Sequence, residues 1–219
     1  MSDRTRLANS DVVAAEVGDW RFMLNGLHAR FRTGDFATGL RLVNAIGAAA
    51  EEVNHHPDLD LRYPHLNVRL MSHDVGGVTD RDLRLAQRIS ELAAAEGAPA
   101  DPSAVSILEI ALDAADPDAA KRFWKAVLGL QDSRVHEADA IDPDGALPTL
   151  WFQQTDAHDE PRMRFHVDIT VAPEVAPARI EAALAAGGTL VSDTHAPALT
   201  VLADPEGNKV CVCTSEGRE

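Results

Sequence analysis

At 219 residues, with 45% hydrophobic and 25% charged side chains, the chain has the balance of a globular protein of one large or two small domains. A formal net charge of −15 argues against non-specific binding to nucleic acid or to anionic membranes. There is no apolar run of roughly 18 residues, no apolar stretch follows Met1-Ser2-Asp3-Arg4, and Cys211 and Cys213 would share one strand face, so a reduced, cytoplasmic chain without a membrane span is expected.

In chain order, residues 7–17 form a short amphipathic helix pattern. Residues 20–33 alternate in places around Asn25-Gly26, which predicts a hairpin. Phe36, Leu40, Val43 and Gly47 recur at helical spacing up to Val53, where Pro57 stops the helix. Residues 65–71 alternate again, with Leu66, Val68 and Leu70 on one face. Thr79-Asp80-Arg81-Asp82 then opens a helix whose expected buried stripe is Leu83, Ala86, Ile89 and Ala93. The motif Thr79-x-x-Asp82 is close to a capping box, and a structural role for Asp82 is favoured.

Gly97 to Ser103 carries two prolines and a glycine and nothing apolar larger than alanine or proline. This composition marks a linker at 98–104 between domains at 1–97 and 105–219. The first piece holds 11 arginines against 14 acidic residues, net −3, and residues 98–219 hold 9 basic against 21 acidic, net −12. The acidic excess therefore belongs to the second piece. There, strand patterns at 105–112, 148–154, 164–171, 199–203 and 209–214, and helices at 116–128 and 177–186, give strand–helix–strands twice. Two such copies can face each other around a cavity.

Three of the nine histidines stand out: His55-His56 at a helix end and His73 just beyond a strand. Imidazole titrates near neutrality and moves protons both ways. A histidine at a helix C-terminus also has a plain explanation in the helix dipole. A zinc site is disfavoured, because adjacent histidines do not easily share one ion and no HExxH or CxxC spacing occurs.

Glu51-x-x-x-His55-His56-Pro57, then Tyr63, His73 and Asp82, with Trp20, Phe31 and Phe36 upstream and Gly76-Gly77-Val78-Thr79 downstream, resembles the pterin-4a-carbinolamine dehydratase family across nearly all of residues 7–95. The resemblance implies an α+β domain of four antiparallel strands with helices on one face, assembled as a dimer or tetramer. It implies dehydration of a 4a-hydroxytetrahydropterin, a small-molecule substrate, with no metal or organic cofactor. Its catalytic set falls on His55, His56 and His73, and its pterin-lining positions on Asn54, Met71, Ser72 and Asp74. Among these, His73 and His55 are expected as the acid/base pair, with His56 holding the pterin.

In the second piece, Glu109, Asp116-Pro117, Phe123-Trp124, Leu128-Gly129, His166-Val167-Asp168 and 204–208 (Asp-Pro-Glu-Gly-Asn) resemble the glyoxalase-like, vicinal-oxygen-chelate superfamily over about residues 104–215. The resemblance implies two paired βαβββ units around a cavity. Its metal-ligand positions fall on Glu109, His166 and Cys211, an unusual donor set, and the expectation is that His166 and Cys211 line the cavity or the core without a metal. Two competing readings stand beside the dehydratase: a binding or dimerisation module without turnover, and metal-dependent lyase or dioxygenase chemistry in the second domain.

Overall fold

The computed structural model describes residues 3–217 apart from 119, 122–124, 126–129, 144, 146, 157–164, 186–187 and 204–208. The described residues divide into two compact units, residues 3–105 and Ser106–Gly217.

The first unit runs α1 (Asn9–Ala14), β1 (Arg21–Met23), β2 (Gly26–Arg32), α2 (Phe36–Val53), β3 (Asp58–Arg62), β4 (His65–Leu70) and α3 (Asp80–Ala95). Its four strands form one antiparallel sheet in the order β1-β2-β4-β3. The hairpin turn is Leu24-Asn25, both at positive φ, because Met23 pairs directly with Gly26. The sequence placed this turn one residue later, on Asn25-Gly26. Alternation sorts the sheet's two faces. Leu27, Ala29 and Phe31 lie opposite Leu70, Val68 and Leu66 and are buried under Leu42 and Ile46 of α2 and Leu85, Ala86 and Ile89 of α3. Burying side chains such as Phe31, Leu42 and Ile89 contributes about 1.5–3 kcal/mol each. Leu85 occupies the stripe position expected of Leu83, which is only half-buried. Trp20 ties the hairpin to α3: its Nε1–H donates to the Ala86 carbonyl at 3.2 Å and to Ser90 Oγ at 3.1 Å, and its ring meets Phe31 edge-on.

The opposite sheet face is polar, and His28 of β2 stands on it across from Arg69. Burial and the Arg69 charge lower the His28 pKa to about 3, against a bond to the Met23 carbonyl that raises it. Its Nε2 has no hydrogen-bond partner among the described residues. A histidine depressed in this way supports stability above its unfolded pKa of about 6.5 and withdraws that support as pH falls toward the folded value. Between pH 7 and pH 5, urea unfolding of the wild type should therefore lose about 1–2 kcal/mol more than that of His28→Met. Equal losses would show that His28 takes up a proton in the folded state.

The segment expected as a linker is bonded to the first sheet. The Arg32 amide donates to the Pro99 carbonyl at 2.9 Å, the Asp101 amide donates to the Arg30 carbonyl at 2.7 Å, Arg32 pairs with Asp101, and Ala98 is buried. Backbone pairing along β2 thus gives this Pro- and Ala-rich segment a fixed course.

The second unit carries β5 (Ser106–Ala114), β6 (Gln131–Asp132), β7 (Asp139–Ile141), β8 (Thr149–Gln154), β9 (Phe165–Val171), α4 (Ala176–Ala185), β10 (Thr189–Ser192), β11 (Leu199–Ala203) and β12 (Lys209–Cys213). Its eight-stranded sheet has the order β10-β11-β12-β9-β5-β8-β7-β6. The order is symmetric about the antiparallel β9/β5 pair: each of these strands also pairs in parallel with the last strand of its own half, β12 or β8. This is the repeat the strand patterns implied. The short strands β6, β7 and β10 escaped the sequence patterns. The expected helix at 116–128, including Phe123-Trp124 and Leu128-Gly129, and the 204–208 motif fall wholly or largely outside the described residues. Among the described residues no helix is long and apolar enough to cross a membrane.

Candidate active site

The first site begins at a helix end. Asp35 caps the start of α2 by accepting from the Thr38 amide at 2.7 Å. At the far end Asn54 takes the left-handed conformation (φ 49°), which a short polar residue tolerates, and the His55 amide then donates back to the Ala50 carbonyl at 3.1 Å. This tight turn directs the chain inward at His55, which is buried, and Pro57 prevents the helix from resuming.

The His55 ring ends on Asp82, whose side chain is fully buried. Nε2–H donates to Asp82 Oδ1 at 2.7 Å. The other oxygen, Oδ2, accepts from Ser72 Oγ at 2.7 Å, from the Thr79 amide at 2.8 Å and from the Thr79 hydroxyl at 3.1 Å. The capping box at Thr79 is present, and the same carboxylate carries the histidine. An ionised carboxylate only accepts, so the His55 Nε2 must bear a hydrogen, and in the neutral ring Nδ1 presents its lone pair. Asp82 is therefore both a helix cap and a positioning residue for the imidazole.

Of the other expected residues, Ser72 alone is bonded to this hub among the described residues. Ser72 is buried on it. His73 follows on a tight turn held by Ser72–Gly77 pairing, with Gly76 at φ +64°. It is exposed, with no hydrogen bond among the described residues. His56 is exposed and meets Glu51 at 3.1 Å. Asp74 binds Arg81 at 2.6 Å and Arg4 at 3.5 Å, and those cations, the Arg81 bond foremost, hold its carboxyl below the usual range. Met71 is half-buried, its sulfur 3.4 Å from Arg69. Asn54 is exposed at the helix end.

A cavity of about 300 Å³ opens over His55, walled by Ala49, Val53 and Leu85 and edged by charged side chains that include Arg81, Arg84 and Arg88. His56 and His73 are not on its wall. A larger hollow of about 590 Å³ in the second unit, bounded by Lys121, Lys125 and Asp132, contains none of the expected site residues and is mostly open and polar.

In the second unit, strand register aligns Glu109, Asp168 and Cys211 across β5, β9 and β12, with His166 two residues from Asp168 on the same face. His166 Nδ1 lies 3.1 Å from Asp168 Oδ1 and 3.8 Å from Cys211 Sγ, and Nε2 lies 3.6 Å from Asp113 Oδ1. The Asp168 bond, with the charges of Asp168 and Asp113, raises the His166 pKa against its burial. The Trp151 ring stands edge-on to His166, the centroids 5.4 Å apart. One donor atom each from His166, Asp168 and Cys211 falls within a 4.8 Å group. Asp168 stands in the His166-Val167-Asp168 motif, but the resemblance placed the donor positions on Glu109, His166 and Cys211; the His-x-Asp alternation on one strand is the signal that sets Asp168 on the same face as His166.

Residues 5–92 match the family described as pterin 4 alpha carbinolamine dehydratase, and residues 109–213 match the glyoxalase-like domain. A relative in Metallosphaera sedula is 43% identical over 74 residues, covering 34% of this chain and 77% of that protein. One in Thermosynechococcus vestitus is 36% identical over 93 residues, covering 42% of this chain and 98% of that protein. Both carry the name "putative pterin-4-alpha-carbinolamine dehydratase". The chain belongs to the pterin-4a-carbinolamine dehydratase family. Its first domain carries that membership, and a glyoxalase-like domain is fused to it. A solved structure described as a transcriptional coactivator/pterin dehydratase from Brucella melitensis is 26% identical, covering 41% of this chain and 99% of its own, with a TM-score of 0.39. Within this dehydratase-family domain, Asp82 holds the last position of the motif and caps α3, and the fold adds its bond to His55, which the sequence did not announce.

Proposed function

We propose that the first domain dehydrates a 4a-hydroxytetrahydropterin to the quinonoid dihydropterin and water, with His55 as the central proton-handling group. The observation that carries the reading is the buried His55–Asp82 pair at the wall of a cavity large enough for a bicyclic ring. In the reaction the C4a–O bond breaks as the oxygen takes a proton, and a ring nitrogen gives up its own. With Nε2–H committed to Asp82, His55 Nδ1 is the nitrogen available to accept that ring proton. The family resemblance gives His73 the protonation of the leaving oxygen and His56 the holding of the pterin; neither lines this cavity, so these two roles rest on the resemblance and not on the cavity's geometry. Each proton transfer by a placed side chain is worth about 10²–10⁴-fold. Assembly as a dimer or tetramer belongs to the same reading, and sedimentation of the full chain measures it.

The test is stopped-flow dehydration of chemically generated 4a-hydroxytetrahydropterin by the full chain. The wild type should outrun buffer, and His73→Ala should be about 100-fold slower. An unchanged His73→Ala rate sinks the His73 role, and no acceleration by the wild type favours a binding or dimerisation module.

For the second domain we propose a divalent ion on His166, Asp168 and Cys211. This departs from the expectation of no metal, and the three-donor group supports it. Bond lengths of about 2.0–2.3 Å for zinc to nitrogen, oxygen and sulfur imply donor separations of roughly 3.3–3.6 Å, close to the spacings around Nδ1. Zinc bound there would supply a Lewis acid. Titration with cobalt(II) should give a thiolate charge-transfer band that Cys211→Ser lacks. The same visible spectrum in both proteins would remove Cys211 from the site.

A further inference from the structure

The cavity over His55 has a second property that proton transfer does not use. Arg81, Arg84 and Arg88 reach its wall from α3, three and four residues apart, hence from one helix face. They form a basic rim on a chain of net charge −15. Two carboxylates face them, Asp3 and Glu52. Asp3 Oδ1 accepts from Arg84 at 2.6 Å. The Arg84 bond, with the Arg84 and Arg81 charges, draws the Asp3 carboxyl below its ordinary value. A carboxylate from near the chain's beginning thus already occupies a place the rim favours.

The rim has donors to spare. A guanidinium carries five N–H groups. Arg84 gives one to Asp3, Arg88 gives one to Glu91 at 3.0 Å, and Arg81 uses one on Asp74 and one, at 3.4 Å, on the Thr79 hydroxyl. The Arg84–Asp3 and Arg88–Glu91 pairs are exposed, and exposed pairs are weak enough for a ligand anion to displace. An arginine fork matches a carboxylate or phosphate with two parallel bonds.

We infer that the cavity takes a pterin whose side chain bears an anion, carboxylate or phosphate, bound by Arg84 and Arg88 where Asp3 now lies. The inference rests on the dehydratase reading and narrows its substrate class. His55 meets the ring, the arginines hold the side chain, and Asp3 is a stand-in that the true ligand displaces.

Three 4a-carbinolamines test it on the full chain: one with a neutral 6-methyl group, one with a side chain ending in glutamate, and one with a phosphate ester. For the wild type, KM should be about tenfold or more lower for an anionic form than for the neutral one. The Arg84→Gln/Arg88→Gln variant should shrink that ratio about tenfold, and Asp3→Asn should widen it. Whichever anion has the lower KM identifies the side-chain chemistry. Equal KM values for all three in the wild type overturn the inference while leaving the dehydratase reading intact. If none is turned over, that reading fails, and fluorescence titration with unreactive oxidised pterins of the same three side chains decides the inference. Tighter binding of an anionic form supports it, and equal binding overturns it.

Discussion

Replacing His55 with glutamine should lower the rate constant for dehydration by about 10²–10⁴-fold while leaving the fold in place. Glutamine keeps an N–H that can reach Asp82, so the buried carboxylate retains a donor and the loss reports on proton transfer. It has no nitrogen lone pair that takes a proton near neutrality, and the role assigned to Nδ1 disappears. The catalytic loss should appear in kcat rather than in KM, because the residue acts on the reacting atoms. An unchanged kcat would reduce His55 to a core histidine on a helix end.

Asp82 carries the largest structural effect expected of any single side chain here. Its fully buried carboxylate accepts from His55, Ser72 and Thr79, the last through both amide and hydroxyl. Asp82→Ala strands these donors away from water and removes the cap of α3, which should cost about 3–5 kcal/mol, a large share of the roughly 5–15 kcal/mol that holds a domain together. Asp82→Asn preserves size and separates the two roles. Its amide nitrogen can meet Nε2 only if that atom accepts, which moves the ring hydrogen to Nδ1 and inverts the atom meant to take the substrate proton. Activity should then fall by on the order of 10²–10⁴-fold, while urea unfolding shows a smaller loss than Asp82→Ala. If Asp82→Asn were as active as the wild type, Asp82 would be a helix cap alone.

Much of the fold was legible because its signals are local. Helix α2 has the bounds its apolar spacing predicts, Leu66, Val68 and Leu70 face the core as their alternation requires, and the two halves of the second sheet repeat. What the sequence patterns hid depends on distant parts of the chain. Strand β3 alternates strictly as Asp58-Leu59-Asp60-Leu61-Arg62 but over only five residues at an acidic edge, where Leu59 and Leu61 stay half-buried; its pairing with β4 is what fixes it as a strand. The contact between His55 and Asp82 joins residues 27 apart in the chain, and no local pattern announces it. Thr79-x-x-Asp82 showed the cap, a four-residue matter, while the tertiary half of that carboxylate's work needed the fold. The place of Asp168 beside Cys211 was hidden in the same way, since it comes from the parallel pairing of β9 with β12.

The account turns on a pterin ring meeting the free nitrogen of His55, and a crystal structure of the full chain with an unreactive oxidised pterin measures this directly. The expected result is a pterin in the cavity beside α3 with a ring atom about 3 Å from His55 Nδ1 and the Asp82 bond to Nε2 intact. A pterin bound elsewhere with this cavity empty, or His55 turned so that Nδ1 faces Asp82, would contradict it.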